Sequence, residues 1–222
     1  ACLAAGWFAV LGVLRHRAYQ SMAMDFAFFD QIVWNTSQGR WFETSFVPYN
    51  FLGQHVEPVL LLFAALYRIT PAPEWLLIGQ ALAAGGAAIP LYLIGRRRLS
   101  RVWLAALVAG AYLLSPTLHR AVAFDYHSEV MAPLCIFSGL ALLHRGHERA
   151  GITALLSLLL LKEDAALVLL GLALPLWLWH MRRAAVVTAA AGSVWVILVV
   201  GLLMSAARDG QPADLEARYA HL

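Results

Sequence analysis

Between Met24 and Glu57 the sequence MDFAFFDQIVWNTSQGRWFETSFVPYNFLGQHVE places Asp25, Asp30, Glu43, His55 and Glu57 in one stretch bracketed by apolar segments. The whole chain has 13 acidic residues, so such a concentration invites a chemical explanation. A carboxylate at the lip of a bilayer can take a proton from an acceptor hydroxyl or hold a divalent cation. Asp25 and Asp30 are the candidate catalytic acids, and Gln31 beside them is a candidate substrate contact. In the bland alternative Asp25 caps a short interfacial helix, with Phe26, Phe28, Phe29 and Trp34 at the headgroup level. His55-Val56-Glu57-Pro58 is the second piece. Pro58 suits the first turn of a helix. That leaves His55 and Glu57 in the loop before it, as substrate-binding groups or as a solvated turn.

Two later stretches join them. In Phe124-Asp125-Tyr126-His127-Ser128-Glu129 the acids and the histidine alternate, so an extended segment would point Asp125, His127 and Glu129 the same way. Together they suit a divalent cation such as Mg²⁺ or Mn²⁺, or a transition metal, although no zinc spacing is present. Capping of the following helix explains Ser128 or Asp125 but not the full set. Lys162-Glu163-Asp164 interrupts an apolar run. Charges near membrane depth are expensive and face a cavity or one another. Lys162 is therefore read as half of an internal ion pair or as a point charge for a phosphate, aided by Arg120 or Arg15. Gly39 and Gly85-Gly86 lack the context of a phosphate loop, so no nucleotide site is expected.

The elements that must position these groups are greasy. Sixty-one per cent of the residues are hydrophobic and 13% charged, with a mean hydropathy of +0.70. A soluble domain of this size would need more charge on its surface. A net charge of +3 gives little support to a nucleic-acid partner. Cys2 and Cys135 are dispersed in apolar segments and make neither a disulfide framework nor a metal knuckle. A helix needs roughly 20 apolar residues to cross a bilayer. On that basis the chain reads as about seven spans: Ala1–Leu14, Trp75–Gly95, Val102–Leu118, Val130–Leu143, Ile152–Leu161, Ala165–Trp179 and Ala184–Ala206. Ala1–Leu14 is taken as a truncated span, since no basic region precedes it and no small-residue cleavage site closes it. Pro58–Ile69 is shorter and suits a helix along the interface, inside a first extracytoplasmic loop covering residues 15–72. Ala207–Leu222 is polar and helix-prone. The expected architecture is all-α: one polytopic transmembrane bundle over residues 1–222, cut at both ends.

Charge orients it. The loops Arg96–Arg101, His144–Arg149 and His180–Arg183 hold eight of the 16 basic residues and one acid, Glu148. An arginine excess marks the cytoplasmic side. The acidic loops then face outward across a bacterial inner membrane.

The order of these pieces resembles the GT-C superfamily of membrane glycosyltransferases. An acid follows the first span, and a proline-containing start to an interfacial helix comes next (His55–Pro58). A span closed by Gly95-Arg96-Arg97 follows, and then one ending near Ser115-Pro116 with Asp125 beyond it. Asp25…Phe29-Asp30-Gln31…Trp34-Asn35, Gln54-His55, Phe124-Asp125-Tyr126-His127 and Leu161-Lys162-Glu163-Asp164 more closely resemble a bacterial family of predicted polytopic membrane proteins placed near that group. The resemblance implies a sugar donor carried on a polyprenyl phosphate, entering from the membrane lipid. Asp25 would be general base or metal-orienting group, and Lys162 and Arg120 would hold the donor phosphate. His55-Val56-Glu57-Pro58 stands where some of these transferases carry Lys-Pro-Pro. A transporter or permease, and a non-catalytic scaffold of the same fold, are the competing readings. Transporters tend to show internally repeated halves, and no repeat is visible.

Overall fold

The computed structural model describes residues 1–212, so most of the helix-prone tail lies outside the described residues. Among those residues every regular element is helical. The order begins α1 (Cys2–Arg17), a π turn (Ala23–Ala27) running into α2 (Phe28–Ser37), a 3₁₀ turn (Phe51–Gly53) and α3 (Leu60–Ile69). Next come α4 (Glu74–Gly86), continuing into α5 (Ala88–Arg98), then α6 (Val102–Leu113) and α7 (Pro116–Ala123). A 3₁₀ turn (Ser128–Met131) opens α8 (Ala132–His144), and α9 (Glu148–Leu156) closes in another (Ser157–Leu160). The order ends α10 (Ala165–Leu178), α11 (Arg182–Trp195), a π segment (Val196–Leu203) and α12 (Met204–Ala207).

Among the described residues two continuous helices are long and apolar enough to cross a membrane, Glu74–Arg98 with 25 residues and Arg182–Ala207 with 26. The pair α6 and α7 makes a third if taken as one span, bent by 42°. The larger number of spans expected from apolar runs is therefore reduced to two or three. Pro116 explains the bend. Ser115 before it takes the extended backbone that a residue preceding proline favours (φ −59, ψ 124), which ends α6 and starts α7 in a new direction. Elsewhere an apolar run does not mean a long helix: Leu60–Ile69, Ser128–His144 and Ala165–Leu178 are apolar but shorter. Hydropathy registers burial against protein as readily as burial against lipid. The ten-residue α3 agrees with the reading of Pro58–Ile69 as too short to cross.

Small residues let the helices pack closely, as between membrane helices generally. A Cβ on Gly85 of α4 would lie 2.6 Å from the backbone of Ala5 in α1. Gly139 of α8 and Gly151 of α9 make room for Leu155 and Leu143 of the opposite helix. Gly192 of α11 lies against the Ala166 carbonyl of α10.

The three arginine-rich loops meet at one end. Arg97 donates to the His144 carbonyl at 2.6 Å, Arg98 reaches the His144 ring at 3.1 Å, and Arg183 pairs with Glu148 at 3.3 Å. From this end α8 and α10 run back toward the stretches that hold Glu129 and Lys162. There the long connection between α2 and α3 is tied down by side chains. Gln31 accepts from the Ser45 amide at 2.8 Å, Asn35 donates to the Glu43 carbonyl at 2.9 Å, and Asn50 donates to the Trp41 carbonyl at 2.9 Å. Phe28, Phe29, Phe51, Phe63 and Tyr126 pack edge-to-face beneath it, with centroids 5.2 to 6.0 Å apart.

Candidate active-site cavity

At the end away from the arginine loops, four segments distant in sequence close around a cavity of about 270 Å³. Its polar lining is Asp25, Gln54, His55, His127 and Lys162, and Phe28, Phe29 and Phe46 supply much of the apolar wall. Of the groups singled out from sequence, Asp25, His55, His127 and Lys162 are thus brought together.

Each is positioned by identifiable contacts. Asp25 sits on the π turn, whose wider winding sets Met24, Asp25, Phe28 and Phe29 on the cavity side; such turns recur at functional sites. The residue before the turn is tied across the fold: Asp125 Oδ2 accepts from the Met22 amide at 2.6 Å. His55 Nδ1 lies 2.9 Å from Glu163 Oε1, and Glu163 Oε2 accepts from the Val56 amide at 2.9 Å. The His127 amide donates to Gln80 Oε1 at 3.0 Å, and Gln80 Nε2 donates to the Asp125 carbonyl at 3.4 Å. Lys162 Nζ pairs with Glu129 Oε1 at 2.5 Å.

The remaining predicted site residues lie elsewhere. Asp30 accepts from the Tyr67 hydroxyl at 2.7 Å and does not line the cavity. Gln31 braces the loop through Thr44 and Ser45. Arg120 lines a neighbouring, more open cleft with Phe124 and Glu129, and His127 borders both spaces. Asp125, His127 and Glu129 do not converge as a metal site, because Asp125 is held by the Met22 amide and Glu129 is taken by Lys162. Among the described residues no three His, Cys, Asp or Glu side chains gather as a metal-binding group.

Glu57 is the outlier. It is fully buried, and neither carboxylate oxygen has a hydrogen-bond partner among the described residues. Burial and the nearby Glu129 push its carboxyl up to about 8, against the opposing pull of Lys162. Burial would also raise Glu129, but the Lys162 ammonium bonded to it brings it below the usual carboxylate range. Glu163 behaves alike: burial opposes ionisation, and bonds from His55 and the Val56 amide outweigh it.

Two features of the sequence mark these groups. Lys162 is the lone lysine among 16 basic residues. Gln80, which fixes the His127 segment, interrupts the otherwise apolar EWLLIGQALAAGG, and a polar group in such a helix usually has a partner.

Fold and site together define a helical membrane protein with a polar cavity at one end of its bundle. Residues 15–222 match the family model described as "Predicted membrane protein (DUF2079)", and the chain belongs to that family. No curated protein and no solved structure matches it.

Proposed function

We propose that the cavity transfers a sugar from a polyprenyl-phosphate carrier to an acceptor hydroxyl on the outer face of a bacterial inner membrane. One observation carries this reading: Asp25 shares a small cavity with His55, His127 and Lys162, a base opposite cations and donors suited to a phosphate. The space is at the small end of ligand pockets, which run to about 300–1,000 Å³, and suits a head group with its lipid tail outside.

In the proposed step Asp25 takes the acceptor proton as the acceptor oxygen bonds to the anomeric carbon. The bond from that carbon to the phosphate oxygen breaks, and the electron pair leaves with the lipid phosphate. Lys162, His55 and His127 stabilise the charge that develops on this leaving group. Arg120 lies in the adjoining cleft, where a carrier phosphate could approach before it reaches His127. Glu57 and Asp30 touch no substrate in this scheme.

The test is release of polyprenyl phosphate from a labelled donor by the full-length protein in lipid nanodiscs, with folding checked. Asp25→Asn and Lys162→Met are each expected to lower transfer by about a hundredfold or more. Near wild-type turnover in a folded Asp25→Asn protein rules out this carboxylate as the base. A wild-type protein that releases no carrier from any sugar donor supports the non-catalytic scaffold instead.

A further inference from the structure

Beneath the cavity floor lies a layer of polar atoms that the proposed transfer does not use. Glu57 Oε1 and Oε2, Tyr126 Oη and Ser128 Oγ are all buried without a hydrogen-bond partner among the described residues, and the three residues are each 0% exposed. The surrounding charges leave Glu57 unmatched. Glu129 is taken by Lys162 and Glu163 by the His55 ring, so each of these two nitrogen groups already has a carboxylate partner. The Val56 amide goes to Glu163 and the Val59 amide to the Leu160 carbonyl. Among the groups that face Glu57, Glu129 and Glu163 repel its charge and Lys162 attracts it. Tyr126 adds its own buried hydroxyl, and Ser128 turns its hydroxyl toward the carboxylate without closing a bond.

A buried carboxylate with no partner must acquire a positive charge or lose its own. A proton does this without needing space. We infer that Glu57 is a proton-binding, positioning residue for Lys162: when protonated it leaves the ammonium to Glu129 and the cavity, and when ionised it draws the ammonium down from the cavity. The arrangement then sets how strongly Lys162 can hold an anion above it. This rests on the reading of Lys162 as the anion-holding group, and it deepens that reading by adding the group that regulates it. Burial beside Glu129 places the exchange at a pH of about 8, so the cavity would be strongest as an anion site at neutral pH and weaker in alkali.

Lys162 is the only lysine in residues 1–222, so a lysine reporter in this region reports on it alone. The full-length protein in nanodiscs is reductively methylated with ¹³C-formaldehyde, and the dimethyl-lysine signal is assigned by its loss in Lys162→Arg. In wild type this signal is expected to move with a midpoint near pH 8. In Glu57→Gln the inflection is expected to disappear. In Ser128→Ala, which removes a hydroxyl that favours the ionised carboxylate, the midpoint is expected to rise. An inflection of the same midpoint in wild type and Glu57→Gln overturns the inference, as does a wild-type signal that shows none. If Glu57→Gln does not fold, an unmoved midpoint in Ser128→Ala overturns it instead. Sugar transfer does not enter this readout, so a failure of the coupling and a failure of the transfer reading are separately visible.

Discussion

At the residue scale the two acids that look equivalent in sequence part company. Asp25 faces the cavity, whereas Asp30 is held by the Tyr67 hydroxyl at 2.7 Å. Asp30→Asn should therefore cost about 1 kcal/mol of stability through a weakened bond and leave transfer within a few-fold of wild type, measured in the same nanodisc assay. Glu57 makes a prediction about pH. Its carboxyl rises from 4.5 to about 8 on folding, so between those values the folded state holds a proton that the unfolded state releases. The stabilising contribution is complete below the unfolded value and is lost as pH rises through the folded one. The loss approaches about 1.4 kcal/mol per pH unit, and thermal unfolding in detergent should show stability falling from about pH 5 to about pH 8. Glu57→Gln cannot release a proton, so its curve should be flatter over that range. Parallel curves would mean that Glu57 is ionised in both states.

At the element scale the π turn decides where Asp25 points, and what holds the turn is Asp125, more than a hundred residues away. Asp125→Ala removes the bond to the Met22 amide, which costs about 1 kcal/mol, and should lower transfer by loosening Asp25 without touching substrate. Asp125→Asn keeps an acceptor oxygen and should recover much of both, as read by unfolding temperature and by turnover. The same contact explains part of what the sequence hid. The Asp-Tyr-His-Ser-Glu stretch was legible as special, but alternation alone suggested shared ligation, while tertiary contacts send Asp125 to the Met22 amide, Glu129 to Lys162 and only His127 to the cavity. Hydropathy likewise located the apolar stretches but not the helix lengths. A run such as Val102–Leu118 is continuous in composition, yet Pro116 breaks it into α6 and α7. The all-helical class was legible in the apolar runs, whereas which of the marked polar groups line the cavity was set by tertiary contacts that spacing does not show.

At the scale of the whole molecule the two ends differ in charge. His144 gathers Arg97 and Arg98, and Arg183 reaches Glu148, so the arginine loops form one connected surface. Glu129 and Glu163 lie at the far ends of α8 and α10, which run away from it, and Asp25 shares the cavity there with Lys162. Loops rich in arginine resist transfer across a membrane, so this separation should set the orientation, with the cavity facing outward. The measurement is labelling by a membrane-impermeant maleimide, with Cys2 and Cys135 replaced by alanine. His147 in an arginine loop and Glu43 in the cavity-side connection are both exposed. Glu43→Cys should label in intact cells, and His147→Cys only in inverted vesicles. Labelling of both from one side would place the cavity and the arginine loops on the same membrane face. No lipid-carried donor could then be transferred outward by the scheme above. The reversed pattern would keep the cavity intact as a site but turn it toward the cytoplasm, where nucleotide-activated sugars rather than lipid carriers become the natural donors to test.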